Sequence, residues 1–298
     1  MELKKSNIKL KGHESFYLRE GWLRKGIKSI ESNSNLFSLN ESTDLLGVGS
    51  NMVKSIKYWL LAMDLIKEKK IHGGRKEFVI NEDLGYLINK YDPYFEDRFT
   101  LWILHYNLCK NFKSASSWYM FFNRFKLSTF TKSDLFVGLE SEFTKLCGEG
   151  SFSSKSLMDD CSCILKSYYT DNDEDFNPEI NFVCPLGELN LIDKKVKNGE
   201  SYYTKIKPSK EKLDKLAILY VILDNSIKHN TNIEDILNNE CNVGSIFNLD
   251  RNLLNEYLDE LEKSQYISVN RTAGLNTIYI DKSLSLNKIL NMYYSDNL

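Results

Sequence analysis

Three groups of residues in this chain carry side chains able to handle a phosphodiester. His13 and Glu14 are adjacent, with Arg19 shortly after them. Asp92, Glu96 and Asp97 precede His105; on one helix Asp97 and His105, eight positions apart, would face the same side. Asp159 and Asp160 form a third, adjacent pair. Cutting a phosphodiester takes carboxylates that hold a divalent cation, or a histidine base, close to the phosphate. On that chemistry His13, Glu14, Glu96, Asp97 and His105 are the candidate catalytic residues. Asp92, Glu96 and Asp97 are the candidates to hold Mg²⁺ or Mn²⁺. The same residue types also serve as helix caps, buried pairs or solvated faces, so each group stands between a catalytic and a purely structural role.

Other chemistries find no support. There is no Ser/His/Asp signature or phosphate loop, and Gly47, Val48 and Gly49 are too short a run for a dinucleotide loop. The six cysteines are Cys109, Cys147, Cys161, Cys163, Cys184 and Cys241. Only Cys161 and Cys163 lie close together, and the histidines are scattered, so zinc spacing is absent. Free thiols in a reducing cytoplasm are the expected state. No apolar run reaches membrane-spanning length, and the first residues lack an apolar export core.

The elements that must position these residues follow from periodicity. Gly and Pro are sparse, 15 and 4 in 298 residues, and long helical periods dominate. Residues 16–31 read as a helix with Leu23, Ile27 and Ile30 on one face. A short helix from Glu41 to Leu46 follows, then a glycine turn. The next helix, capped by Ser50 or Asn51, buries Met52, Val53, Ile56, Trp59, Leu60 and Met63. Leu65 and Ile66 begin a hairpin that turns at Gly73 and Gly74 and returns through Phe78, Val79 and Ile80. Helix, tight turn, helix and hairpin make the winged helix-turn-helix plan.

From about residue 88 to 195 the chain reads as all-helical. Asp92 and Pro93 look like a helix start leading through Phe99 to Tyr106. Further helices are expected at 118–125, near 131–147 and near 153–169, with an acidic loop over Asp171 to Asp175. Lys, Gly, Ser and Pro concentrate between 195 and 210, where a boundary is expected. Beyond it, helices near 210–226, 232–238 and 250–264 precede a second hairpin around Thr272 to Leu275. The expected architecture is therefore mainly α with small β wings. It comprises a winged helix-turn-helix over 1–90, a helical middle over 91–200 and a winged-helix-like unit over 201–298.

Charge separates the two end units. The whole chain carries a net charge of -2, which excludes a uniformly basic nucleic-acid coat. Residues 1–80 nevertheless hold 15 Lys and Arg against 9 Asp and Glu. Ser50, Asn51, Lys54 and Lys57 lie on the helix face left open by the apolar stripe. Such a helix fits a major groove, with Asn51 placed to read a base edge. Lys69, Lys70, Arg75 and Lys76 on the hairpin, together with Arg19, suit phosphates beside the groove. The corresponding helix of the C-terminal unit carries Asp250, Glu256, Asp259, Glu260 and Glu262, which suits protein better than DNA.

Several stretches, in order along nearly the whole chain, also carry a likeness. They are Gly12 to Phe16 with Arg19, Gly21 to Leu23 and Lys25; Leu46 to Ile56; Asp92 to His105; Asp160 and Cys161; Cys184 to Leu186; and Thr272 to Leu275. In these the chain resembles the SspB-like family of bacterial single-strand DNA phosphorothioation systems. The resemblance implies a double-stranded DNA substrate and a nick in one strand that admits sulfur in place of a non-bridging phosphate oxygen. It implies a cysteine desulfurase and an ATP-dependent sulfur-transfer protein as partners, and a role in antiviral defence. It assigns no catalytic residue, and the family accompanies other modification and defence clusters. A non-catalytic adaptor that recruits modifying enzymes therefore stays open beside the nickase, as do a protein-only scaffold and a homodimeric state.

Overall fold

The computed structural model describes residues 8–71, 76–169, 184–271 and 276–296. Gly73, Gly74 and Arg75 of the first hairpin turn, the acidic run 171–175 and the second hairpin turn at 272–275 lie outside these. The described residues are mainly helical, with three small antiparallel sheets. The chain divides into two compact units, Met1–Thr204 and Lys205–Leu298.

The first unit begins with α1 (Trp22–Ser32), α2 (Ser42–Leu46) and α3 (Ser50–Ala62). The hairpin of β1 (Ile66–Lys70) and β2 (Lys76–Ile80) follows, in a register that sets Ile66 opposite Ile80 and Lys70 opposite Lys76. α1 starts later than the expected residue 16. Gly21 sits at φ 75°, outside the helical region, and residues 12–15 form a turn with Glu14 and Ser15 also at positive φ. α3 buries Val53, Ile56, Trp59 and Leu60 against the Leu23, Ile27 and Ile30 face of α1. Gly26 lets the two helices approach: a Cβ there would lie 2.5 Å from Leu60 Cδ1. The cap of α3 is Gly49 rather than Ser50 or Asn51, and no side chain bonds the first turn. Asn51 Oδ1 instead accepts from Lys54 Nζ at 3.3 Å.

The rest of the unit holds α4 (Leu84–Tyr91), α5 (Arg98–Lys110), α6 (Ser116–Asn123), α7 (Lys132–Cys147) and α8 (Ser154–Tyr168). Asp92 ends α4 rather than starting the aromatic helix; α5 starts after Asp97, whose Oδ1 accepts the Phe99 N–H. α5 and α6 are nearly all buried, which marks a core position for both. α7 begins with a reciprocal cap between Thr131 and Asp134.

The stretch near 195–210, where a boundary was expected, begins in a hairpin, and the division between the two units falls after Thr204. β4 (Ile192–Lys197) and β5 (Glu200–Lys205) are joined by Asn198 and Gly199 at φ 53° and 80°. Positive φ at both residues is what a two-residue type I′ turn requires, and Asn-Gly supplies it. β3 (Thr129–Thr131) adds to the other side of β5, giving the order β3-β5-β4.

The second unit contains α9 (Lys215–Asp224), β6 (Asn230–Asn232), α10 (Ile233–Asn238), α11 (Val243–Ile246) and α12 (Arg251–Lys263). Then come β7 (Ile267–Asn270), β8 (Thr277–Ile280) and α13 (Leu286–Asp296). Its sheet order is β6-β8-β7. No helix among the described residues is long and apolar enough to cross a membrane.

Candidate nucleic-acid interface

With its apolar stripe buried, α3 leaves Ser50, Asn51 and Lys54 exposed at its N-terminal end. One turn on, Lys57 is half-buried, its Nζ 4.5 Å from the centre of the Phe78 ring on β2. Burial lowers the Lys57 pKa; Glu68 opposes that shift, while Lys76 and Lys9 add to it. Lys76 reaches Glu68 across the hairpin at 3.0 Å, and Lys69 and Lys70 are exposed on β1. Arg19 lies against aromatic faces, its guanidinium carbon 5.5 Å from the Phe16 ring and 5.2 Å from the Trp22 ring. Arg75 is outside the described residues.

The first and third residue groups meet at one place, directly beside this face. His13, fully buried, donates from Nε2 to Asp160 Oδ1 on α8 at 2.8 Å. Asp160 Oδ1 also accepts the Lys11 N–H at 2.8 Å, and its Oδ2 accepts the Ser117 hydroxyl of α6 at 2.5 Å. The imidazole is packed against Trp118, Tyr58 and Trp59, with ring centres 5.5, 5.9 and 6.3 Å away. At the surface of the same turn, Lys11 Nζ pairs with Asp159 at 2.6 Å and Lys54 Nζ lies 3.9 Å from Glu14. The N-terminal turn thus ties α3 to α6 and α8. Ser117 and Lys11 carried no motif signal, because contacts between residues 43 and 149 positions apart leave none in local spacing.

Burial and the Asp160 carboxylate push the Cys161 thiol up to about 12 and raise Cys163 and Tyr58 well above their ordinary values. Neutral thiols are poor nucleophiles, so neither cysteine supplies one here. Asp159 behaves oppositely: the hydrogen bond from Lys11 holds its carboxyl below the ordinary 3.8. A depressed carboxylate pKa contributes stability above the unfolded-state value and loses it as pH falls through the folded one. Asp159→Asn is therefore expected to lower the urea midpoint at neutral pH. Its difference from the unaltered protein should shrink as acidification goes below the ordinary carboxylate range, because the depressed carboxyl protonates there. A gap that persists unchanged in acid would contradict the Lys11 pairing.

The second group does not converge. Asp92 accepts the Glu96 and Asp97 N–H groups, one on each carboxylate oxygen, and Asp97 caps α5. His105, fully buried, has Nδ1 2.7 Å from the Tyr168 hydroxyl and 3.4 Å from Cys109 Sγ. Asp97 thus sits at the mouth of α5 in a capping role, while His105 is bonded inside the core. No three His, Cys, Asp or Glu side chains among the described residues are grouped to hold a metal ion. The candidate set Asp92, Glu96 and Asp97, with Asp92 engaged by backbone amides, does not fit a resident Mg²⁺ or Mn²⁺.

In the second unit the acidic face of α12 is largely neutralised internally. Lys210 pairs with Glu256 and Glu260 at 3.2 and 2.6 Å, Arg271 pairs with Asp259 at 2.9 Å, and Glu262 accepts the Val269 N–H.

Comparison with known proteins gives three positive findings. A protein-family model described as "Protein of unknown function (DUF4007)" matches residues 10–294. A solved structure described as "Magnesium ion-bound SspB crystal structure" superposes with a TM-score of 0.85 at 23% identity, covering 96% of this chain and 88% of that one. A second, "SspB crystal structure", gives 0.82 at 24% identity with the same coverage. At this identity the likeness establishes a shared fold. No curated protein matches the chain.

Proposed function

The chain belongs to the DUF4007 family, and on that premise we propose that it is a DNA-binding component of a bacterial phosphorothioation and phage-defence system. In this reading residues 1–90 act as a winged helix-turn-helix, with α3 in the major groove and the β1–β2 hairpin as the wing. The observation that carries it is the joint placement of Lys54, Lys57, Lys69, Lys70 and Lys76 on α3 and its hairpin. Asn51 reads a base edge and the lysines and Arg19 hold phosphates. The fold shared with the SspB structures supports the phosphorothioation setting, with a cysteine desulfurase and an ATP-dependent sulfur-transfer protein as partners. Residues 91–200 brace the DNA-binding unit, and the winged-helix-like residues 201–298 serve protein contacts.

A second reading adds strand nicking. It is favoured by the magnesium ion bound in one of the two SspB structures and by the Glu14 carboxylate lying 3.9 Å from Lys54. The first reading is the better supported, because Asp92, Asp97, His105 and Asp160 are engaged in caps and buried bonds.

Two assays test these readings. Duplex binding, followed by anisotropy, should weaken by about 0.9 log unit per neutralised phosphate for each log unit of added salt. No binding at low salt would overturn the proposal. Supercoiled plasmid, incubated with Mg²⁺ or Mn²⁺ and with or without chelator, separates the roles. Relaxation that chelator abolishes assigns nicking, while binding without relaxation, alone or with the partner proteins, assigns the adaptor.

A further inference from the structure

We infer that Glu14 is a built-in competitor for DNA: beside Lys54, its carboxylate holds the place that a backbone phosphate takes when a duplex binds. The inference rests on the DNA-binding reading above and adds to it a residue that restrains binding. One ammonium group carries the argument. Lys54 Nζ donates to Asn51 Oδ1 at 3.3 Å and lies 3.9 Å from Glu14 Oε1. In the free chain this cation is therefore shared between the base-reading asparagine and a carboxylate of the chain itself. The Lys54 side chain is 61% exposed and that of Glu14 35%, so an approaching phosphate meets both.

The fold, and not Lys54, holds Glu14 in position. Lys11, Glu14 and Ser15 have φ of 57°, 50° and 66°, a region that residues with side chains seldom adopt. A turn of this kind persists only where its surroundings fix it. At one end the Lys11 N–H and the His13 ring are bonded to the buried Asp160. At the other end the Phe16 carbonyl accepts from Ser55 Oγ at 3.4 Å and from Trp59 Nε1 at 3.3 Å. Ser55 follows Lys54 directly on α3, so the turn is fastened to the same helix whose lysine it restrains. Lys11, the cation within the turn, is bonded to Asp159 at 2.6 Å, while Glu14 faces Lys54. Carboxylate and phosphate both offer an ammonium a negative oxygen, so the two compete for Lys54. A duplex that captures Lys54 also releases the Asn51 amide to a base edge. Exposed ion pairs are weak, which makes the restraint modest and reversible.

Salt-dependent duplex binding by the full chain is the test. Glu14→Gln, which keeps the shape and removes the charge, should tighten binding roughly three- to fivefold near 0.1 M salt. The gain should fall away by about 0.5 M salt, where exposed charges are screened. In a Lys54→Ala background the same change should gain about half as much or less, because the contested cation is gone. Glu14→Asn, a second neutral residue that tolerates positive φ, should behave alike, and circular dichroism would verify the fold of each variant. An equal gain in both backgrounds would show that Glu14 repels DNA as a whole, and would overturn the competition for Lys54. If the unaltered protein binds duplex DNA and Lys54→Ala weakens it, but Glu14→Gln leaves binding unchanged or weaker, this inference fails while the DNA-binding reading stands. If neither the unaltered protein nor Glu14→Gln binds DNA at low salt, the underlying reading fails first.

Discussion

Asp160→Ala should cost the N-terminal unit about 3 kcal/mol, the range found when one member of a buried, hydrogen-bonded pair is removed. The carboxylate is 1% exposed and receives three donors: His13 Nε2, the Lys11 N–H and the Ser117 hydroxyl. Alanine leaves all three without their acceptor in a site where burial has removed competing water, and each such group carries a desolvation cost of about 1–3 kcal/mol. Urea unfolding followed by tryptophan fluorescence would measure it, since Trp59 and Trp118 flank His13. His13→Ala should cost less, because Asp160 keeps two of its donors. A double-mutant cycle should return a coupling well above the value for independent sites. A loss under about 1 kcal/mol for Asp160→Ala would mean that the arm is held by other contacts.

Lys54→Glu should raise the dissociation constant for duplex DNA about tenfold at moderate salt and lower the salt slope by about one unit. Lys54 is 61% exposed near the N-terminal end of α3, so its reversal touches no core contact. Stability should stay within about 0.5 kcal/mol. Reversal also places two carboxylates where Lys54 now faces Glu14 at 3.9 Å, adding repulsion at the point where phosphate would approach. Unchanged affinity and slope would move the DNA off α3 altogether. Together the two substitutions separate framework from contact: one lowers stability, the other alters binding with stability preserved.

Much of the framework was legible in the amino-acid order because it is local. The stripe of Val53, Ile56, Trp59 and Leu60 predicted both α3 and its open face. A Gly-Gly pair set between Leu65–Ile66 and Phe78–Ile80 predicted the hairpin strands. Asp250 predicted the start of α12, where it accepts the Leu253 N–H. The misreadings were local as well. Asp92 and Pro93 looked like a helix start, but the chain places a turn there and gives the cap to Asp97. Around residues 195–210 the composition marked only a boundary, and the hairpin that Asn198 and Gly199 turn there went unread.

The sequence by itself therefore determined the mainly helical class, the cationic helix and hairpin, and the inventory of carboxylates and histidines. Periodicity, turn chemistry and charge act between near neighbours, and near neighbours are what a sequence displays. Only the tertiary structure decided which of those groups meet. It joined His13 and Ser117 to Asp160, set the Lys9 ammonium over the Tyr58 ring, and committed Asp97 and His105 to a cap and a core bond. These pairings follow from the packing of distant elements into one core, where most buried polar groups are held by whatever partner the chain brings within reach.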